Sequence, residues 1–277
     1  MQLKIHAVLA TFLLSGCAGI RMQIPQMTPY TKAAMVERFE EGIPPSLDLP
    51  ADERQEFAHR AADPIHGAAI TMCDRIFGPE QSCASRLSRY RLTVKPHSPV
   101  VNAHIDLKNN ITVYGGLIRL VGSDDELAAV LAHEYAHGLL GHVRGKMQNI
   151  IVGTLVGMAA GAAAGAAASD DPDDVADAAA IGAETGQLVG VRAYSQAMEN
   201  EADHVGLFIL REAGYEMGAA SHLHMRFLNA PRSAPSGEED PALLYIRTHP
   251  GSRERIQKLI GAERMIEAGH LRPVWKR

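Results

Sequence analysis

Two histidines and a glutamate in one short stretch are the residues of this chain best suited to metal chemistry. His133 and His137 lie four positions apart, and Glu134 follows the first histidine directly. Residues four apart on a helix share a face, so both imidazoles can reach one metal ion at roughly 2.0–2.1 Å. The carboxylate of Glu134 can then reach a water on the metal without binding the metal itself. This pattern is typical of zinc metalloproteases.

The surroundings of this motif favour a helix but do not settle its chemistry. Ser123 can cap the helix and Glu126 stands three positions later, which is a capping-box spacing. Gly138 and Gly141 lower the helix propensity at the C-terminal end of this stretch. An amphipathic helix with two hydrogen-bonded histidines would contain the same motif, so further metal ligands have to be sought along the chain.

A catalytic zinc usually takes three protein ligands and leaves a fourth position for water. The metzincin pattern would place a third histidine at position 143, where this chain has Val143. A glutamate from a second helix is the other common solution, and Glu199 and Glu201 are the candidates. They differ by about 200° around a helix, so only one of them can face the histidines.

Glu199 and Asp203 make the resemblance to a known family specific. The stretch Glu199-x-x-x-Asp203, with Ala202 before the aspartate, resembles the second motif of the M48 metallopeptidases. Further stretches fit the same pattern: Val101-Asn102-Ala103, Gly115-Gly116-Leu117, residues 125–132 and Thr248-His249-Pro250. The resemblance covers roughly residues 60–265. It implies an α+β, mostly helical fold, a gluzincin-like metalloprotease domain.

Carried over residue by residue, the resemblance implies one Zn²⁺ held by His133, His137 and Glu199. Asp203 matches the aspartate that orients a ligand or takes part in proton transfer, and Glu201 is left to a solvated or ion-paired role. Zinc would acidify a water, and Glu134 would accept its proton and later donate to the leaving nitrogen. The expected activity is that of a zinc-dependent metalloendopeptidase acting on polypeptides.

The histidine of the Thr-His-Pro stretch has three interpretations that the sequence leaves open. His249 could occupy the open metal position in a resting state, stabilise the oxyanion, or serve only as a structural loop residue. The other histidines after the second motif, His204, His222 and His224, carry no pattern and are expected on the surface or in the core.

The N-terminus predicts export and lipid attachment. Lys4 and the apolar run from Ala7 to Leu14 resemble a signal peptide, residues 1–16, too short to span a bilayer. The run ends in a sequence that resembles the bacterial lipobox and places Cys17 as the lipidated residue; an ordinary secretory signal with a chance cysteine is the alternative. Ala18 after the cysteine favours the periplasmic face of the outer membrane. An acyl anchor at Cys17 would tether the chain to that membrane.

Two further cysteines and the overall charge bear on compartment and partners. In an oxidising compartment Cys73 and Cys83 can form one disulfide; two buried free thiols are the alternative. The net charge of −5 and the lack of a basic patch make nucleic acid an unexpected partner.

The chain order predicts a tether at 17–49 with a helix at 32–41, then a catalytic domain at 50–277. Residues 51–77 read as helical with an interruption near Asp63-Pro64. Three strand candidates at 90–94, 100–105 and 111–114 predict a small antiparallel sheet directly before the motif helix. An edge strand of such a sheet can pair with a peptide substrate.

A Gly/Ala-rich helical insertion at about 150–190 interrupts this domain. Gly153, Gly157, Gly161 and Gly165 recur every fourth residue in an uncharged stretch about the length of a membrane span. Such a stripe permits close helix–helix contact. A membrane span, a contact with a membrane surface or a partner helix, and internal packing against residues 176–190 all remain open, with internal packing favoured.

These observations predict a lipid-anchored zinc endopeptidase of the bacterial cell envelope that degrades misfolded or misassembled envelope proteins. Two alternatives belong to other classes. One is an envelope assembly factor or chaperone with a structural or rarely used metal site. The other is a membrane-associated scaffold that uses the Gly-rich helix. No residue encodes the natural substrate.

Overall fold

A computed structural model describes residues 21–22, 29–78, 83–193, 195–229, 249, 253–271 and 275–276. Within these ranges the chain forms two compact units, one from residues 21–140 and 197–276, the other from residues 141–196. The predicted signal peptide and Cys17 lie outside the described residues, as do Thr248 and Pro250.

The fold is mostly helical with little strand, as the sequence predicts. The helices are α1 Pro29–Glu41, α2 Arg54–Phe77, α3 Cys83–Leu87, α4 Gly115–Leu120, α5 Asp124–Leu139, α6 His142–Ala168, α7 Pro172–Ala193, α8 Ser195–Ala213, α9 Gly218–Asn229 and α10 Arg253–Glu267. The strands are β1 Arg21–Met22, β2 Arg91–Lys95, β3 Ala103–Ile105, β4 Asn110–Tyr114 and β5 Trp275–Lys276.

Helix α5 carries the histidine motif through the centre of the larger unit. It packs against α2 on one side, α9 on another and strands β3 and β4. Ser123 caps it, its side chain accepting a hydrogen bond from the Glu126 amide. The Glu126 carboxylate instead accepts from the Gly122 amide at 2.8 Å and pairs with Arg226. The helix start is therefore fixed by a cap and by a buried ion pair.

Helix α2 runs without a break from Arg54 to Phe77, so the predicted interruption near Pro64 is wrong. A proline inside a helix removes one hydrogen bond and crowds the preceding turn. Here Ala61 and Ile65 on either side of the proline are both fully buried. Burial of one continuous apolar face offsets the local cost. At its far end, Cys73 of α2 is joined by a disulfide to Cys83 at the start of α3.

The three-stranded sheet has the order β2-β4-β3 and is mixed. Strands β3 and β4 pair antiparallel, but β2 pairs parallel with β4, so the prediction of a purely antiparallel sheet is wrong. The loop after β2 returns to the end of β4. There, a Cβ at Gly115 would collide with the Pro96 carbonyl, and one at Gly116 with the Pro99 carbonyl. These glycines let the start of α4 approach the loop after β2, so β2 and β4 end at the same edge of the sheet and run parallel.

The unit formed by residues 141–196 contains the hairpin of α6 and α7. The two helices contact backbone to backbone: Gly157 lies against the Gly182 carbonyl and Gly161 against the Ala178 carbonyl. The predicted glycine stripe is thus covered by α7 of the same chain. This is the internal packing against residues 176–190 that the sequence favours.

The outer side of α6 is apolar and exposed, with Ile151 and Leu155 each more than half exposed. By length and composition, His142–Ala168 is one helix among the described residues that could cross a membrane.

Candidate metal centre

Three separate parts of the chain bring four buried ligand residues together. His133 and His137 come from α5, Glu199 from α8, and His249 from the segment before α10. One ligand atom from each lies within 4.8 Å of all the others. The residues that the sequence selects as ligands, together with the histidine it leaves open, therefore form one cluster.

The separations within the cluster match a tetrahedral metal site. Nε2 of His133 lies 3.0 Å from Nε2 of His137 and 3.2 Å from Oε2 of Glu199. Oε1 of Glu199 lies 3.3 Å from Nε2 of His137. Nδ1 of His249 lies 3.2 Å from Nε2 of His133 and 3.2 Å from Oε2 of Glu199. Ligands of a tetrahedral ion with bonds of roughly 2.0–2.1 Å are about 3.3 Å apart. Three imidazole nitrogens and a carboxylate thus fit one metal ion.

Asp203 contacts this cluster through the ring nitrogen of His133 that does not face the other ligands. Its Oδ1 lies 3.0 Å from Nδ1 of His133, on the side of the ring that faces away from the other ligands. Such a contact holds a proton on Nδ1 and leaves Nε2 free to bind a metal. Burial alone would raise the pKa of Asp203, but Arg255, His133 and His224 hold it well below its usual value. Asp203 is therefore an anion at neutral pH.

The protonation of His133 is linked to the same carboxylates. Burial lowers its pKa, but the hydrogen bonds to Asp203 and Glu199 outweigh burial and raise the pKa to about 10. The pKa of Glu199 lies well below its usual value, because His249 and His137 overcome the opposing effect of burial. Without a metal, His133 at neutral pH is thus an imidazolium with a proton on both ring nitrogens, and the two carboxylates are unprotonated.

Glu134 lies next to the cluster and is held by the sheet. Its Oε2 accepts a hydrogen bond from the Ile105 amide of β3 at 2.9 Å, and its Oε1 lies 3.3 Å from Nε2 of His249. The residue is 1% exposed. Burial raises the pKa of its carboxyl, with His249 and His133 opposing. A carboxylate with a raised pKa is a stronger base, as a general base requires.

Two other titratable residues of α8 lie outside the described cluster. Glu201 is not part of the described cluster, in agreement with its position on the other side of the helix. His204 is buried and its Nδ1 lies 2.7 Å from the Asn200 carbonyl oxygen of its own helix. Both observations agree with the sequence analysis.

Arg255 is the site residue that sequence reasoning did not assign. It lies in the first turn of α10, is 4% exposed, and contacts both Glu199 and Asp203. Next to it, His224 is buried with its Nε2 3.4 Å from Nη2 of Arg255. One sequence feature could have pointed to Arg255. It stands six residues after His249, next to the apolar Ile256 of α10, where a charged side chain is unexpected.

A helix with His-Glu-x-x-His, packed on a small sheet and completed by a glutamate from a second helix, defines a metallopeptidase. The comparison with known families agrees. The model of peptidase family M48 matches residues 75–263, which is more than half of the chain. The chain belongs to this family.

Curated relatives carry the same class of activity in their names. Mitochondrial metalloendopeptidase OMA1 of Schizosaccharomyces pombe is 30% identical over 161 residues, covering 58% of this chain and 43% of that protein. Metalloendopeptidase OMA1 of Homo sapiens is 26% identical, covering 58% of this chain and 30% of that protein. The beta-barrel assembly-enhancing protease of Escherichia coli K12 is 28% identical, covering 63% of this chain and 34% of that protein. The chain therefore matches less than half the length of each relative.

Proposed function

We propose that this metallopeptidase is a zinc-dependent endopeptidase of the bacterial cell envelope that cleaves misfolded or misassembled polypeptides. The observation that carries the proposal is the cluster of His133, His137 and Glu199 with Glu134 beside it. Two imidazoles and a carboxylate on a tetrahedron are ligands that suit zinc.

The chain's own residues supply the acid–base part of the reaction. Bound zinc would polarise the substrate carbonyl and acidify the attacking water. Glu134, held by the Ile105 amide, accepts a proton from that water and later donates it to the leaving nitrogen. Asp203 keeps His133 in the tautomer that presents Nε2 to the cluster.

The position of β3 at the edge of the three-stranded sheet supports a polypeptide substrate. Strand β3 is an edge strand next to Glu134, and within the part of the chain that the structure describes it pairs only with β4. An extended peptide that pairs with the side of β3 away from β4 would run past the general base, which accepts from the Ile105 amide on β3. This arrangement suits an endopeptidase because both ends of the peptide can continue along the edge.

The envelope location rests on the N-terminal sequence and on one relative. The lipobox-like stretch that ends at Cys17 supports export and a lipid anchor at the periplasmic face of the outer membrane. The E. coli relative is named for beta-barrel assembly. The OMA1 relatives are named as mitochondrial, so they support the peptidase activity and not this location.

The name of the E. coli relative also favours a second candidate, an assembly factor for envelope proteins in which cleavage is rare. The two candidates differ in turnover. A protease degrades an unfolded test protein many times per zinc ion, whereas an assembly factor binds envelope proteins and leaves them intact.

Cleavage of casein by the purified zinc-loaded protein tests the proposal. We expect degradation that a chelator stops and zinc restores. E134Q is expected to retain one zinc per chain and to lose at least about 10²-fold in rate, because the base is removed. E201Q, at a half-buried position of α8 outside the cluster, is the matched control and should cleave at the wild-type rate. Casein degradation by E134Q at the wild-type rate would contradict the proposal.

Membrane attachment is tested separately. Palmitate labelling and membrane fractionation of the full chain are expected to give a labelled, membrane-bound protein, and C17S a soluble, unlabelled one. Label on C17S would contradict the assignment of the anchor.

A further inference from the structure

Arg255 contacts two carboxylates of the site with three different nitrogen atoms. Its Nε and Nη2 donate to Oδ2 and Oδ1 of Asp203 at 2.8 and 2.7 Å. Its Nη1 lies 3.0 Å from Oε2 of Glu199. Glu199 and Asp203 are one helical turn apart on α8, so a single guanidinium spans both.

We propose that Arg255 is the positioning residue of the metal centre, which fixes the Glu199 carboxylate directly and the His133 ring through Asp203. The proposal rests on the proposed metal site and goes beyond its ligand set. It assigns to α10 a part in building a site whose proposed ligands come from α5, α8 and the segment that carries His249.

The contact to Glu199 limits how its carboxylate can turn. Oε2 of Glu199 lies near Nδ1 of His249, Nε2 of His133 and Nη1 of Arg255. Oε1 lies near His137 instead. The guanidinium therefore lies beside one oxygen of a carboxylate whose other oxygen faces a second ligand, and this arrangement defines the carboxylate plane before a metal binds.

The contact to Asp203 extends the same effect to a histidine. Oδ1 of Asp203 lies 2.7 Å from Nη2 of Arg255 and 3.0 Å from Nδ1 of His133. One oxygen thus joins the arginine to the ligand ring. Contacts to metal-ligating side chains typically contribute 10–100-fold to metal affinity.

Lysine cannot replace this arrangement. The planar guanidinium presents its nitrogens in a fixed fork that matches a carboxylate with two hydrogen bonds, whereas an ammonium is a single point of charge. A lysine at position 255 would keep the positive charge and lose the simultaneous contact to both carboxylates. R255K therefore removes the geometry of the contacts while it keeps the positive charge.

The chain offers a matched control in Arg226. It is 8% exposed and donates through Nε and Nη2 to the two oxygens of Glu126 at 2.9 and 2.8 Å. This fork has the same form as that of Arg255 but lies at the start of α5, away from the ligands. R226K removes a buried fork without touching the metal cluster.

The experiment compares zinc affinity in the full-length wild type, R255K and R226K by competition with a coloured chelator. We expect R255K to raise the zinc dissociation constant about 10–100-fold. R226K should keep the wild-type constant even where it lowers the thermal midpoint of the metal-free protein. The absorption spectrum of the Co²⁺-loaded protein should change in R255K and stay the same in R226K, because it reports ligand geometry and not stability.

R255K with wild-type zinc affinity and a wild-type Co²⁺ spectrum would overturn the inference while leaving the proposed function standing. A wild type that binds no zinc would instead remove the proposed function and this inference together. If R255K does not fold, the double variant R255M/D203N, which neutralises the arginine together with the carboxylate that accepts two of its hydrogen bonds, takes its place. Unchanged zinc affinity in that variant would equally overturn the inference.

Discussion

His249 lies directly against the candidate general base, with its Nε2 3.3 Å from Oε1 of Glu134. The other nitrogen of the same ring, Nδ1, lies 3.2 Å from Oε2 of Glu199. One imidazole therefore occupies the space between a metal ligand and the base, where an attacking water and a substrate carbonyl would have to fit. Of the interpretations that the sequence leaves open, this placement favours the resting-state ligand.

The first prediction is that H249A cleaves casein faster than the wild type. Removing the ring opens the fourth metal position, while His133, His137 and Glu199 still hold the ion. Initial rates at equal zinc content measure the effect. If His249 stabilised the oxyanion, the same change would instead lower kcat by about 10²–10³. H270A, at an exposed position outside the cluster, should leave the rate unchanged.

The second prediction separates the two glutamates of α8. E199A should lose most of its zinc, because it removes a ligand whose two oxygens face His133 and His137. E201A should retain zinc at one ion per chain. Metal analysis after gel filtration measures both. Zinc loss in E201A with retention in E199A would reverse the assignment of the third ligand.

The third prediction concerns pH and follows from the pKa of about 10 for His133 in the metal-free site. Below that pH the free protein carries a proton that zinc must displace, so binding releases a proton and tightens as the pH rises. We expect the zinc dissociation constant to fall by about tenfold per unit between pH 6.5 and 8.5.

Calorimetry in two buffers of different ionisation enthalpy counts the released proton at a fixed pH. Zinc binding without proton release would contradict the raised pKa. Because the pKa of His133 is raised above its unfolded value, the ion pairs also stabilise the metal-free fold fully below about pH 6.5, and this contribution disappears as the pH rises towards 10.

The fourth prediction concerns the link between α2 and α3. The disulfide between Cys73 and Cys83 closes a loop with a sequence separation of 10. The double variant C73S/C83S should lose about 2–3 kcal/mol of unfolding free energy, because the unfolded chain regains freedom. Urea denaturation measures this loss. A reductant should destabilise the wild type and leave the variant unaffected; equal sensitivity of both would contradict the prediction.

Local relationships along the chain were predictable because a helix fixes which residues share a face. The cap at Ser123 and the common face of His133 and His137 depend only on positions a few residues apart. The assignment of Glu199 and Asp203 came from the family motif, and the structure places both at the cluster. In each of these cases one helix carries the whole pattern.

The sheet and helix α2 show where such local reasoning fails. Whether β2 runs parallel to β4 is decided by the close approach of the Gly115 and Gly116 backbone to a distant loop. The continuity of α2 through Pro64 is decided by burial on both sides of the proline. Both depend on partners that a short window of sequence does not contain.

The sequence by itself determined the class of protein, and it predicted the metal ligands that one helix can present and the base beside them. Only the tertiary structure decided that His249 reaches both a ligand and the base, and that Arg255 spans two carboxylates of α8. The physical reason is distance along the chain. His249 and Arg255 have no fixed helical relationship to the motif, so they acquire a role only when the tertiary fold buries them beside Glu199 and Asp203 of α8.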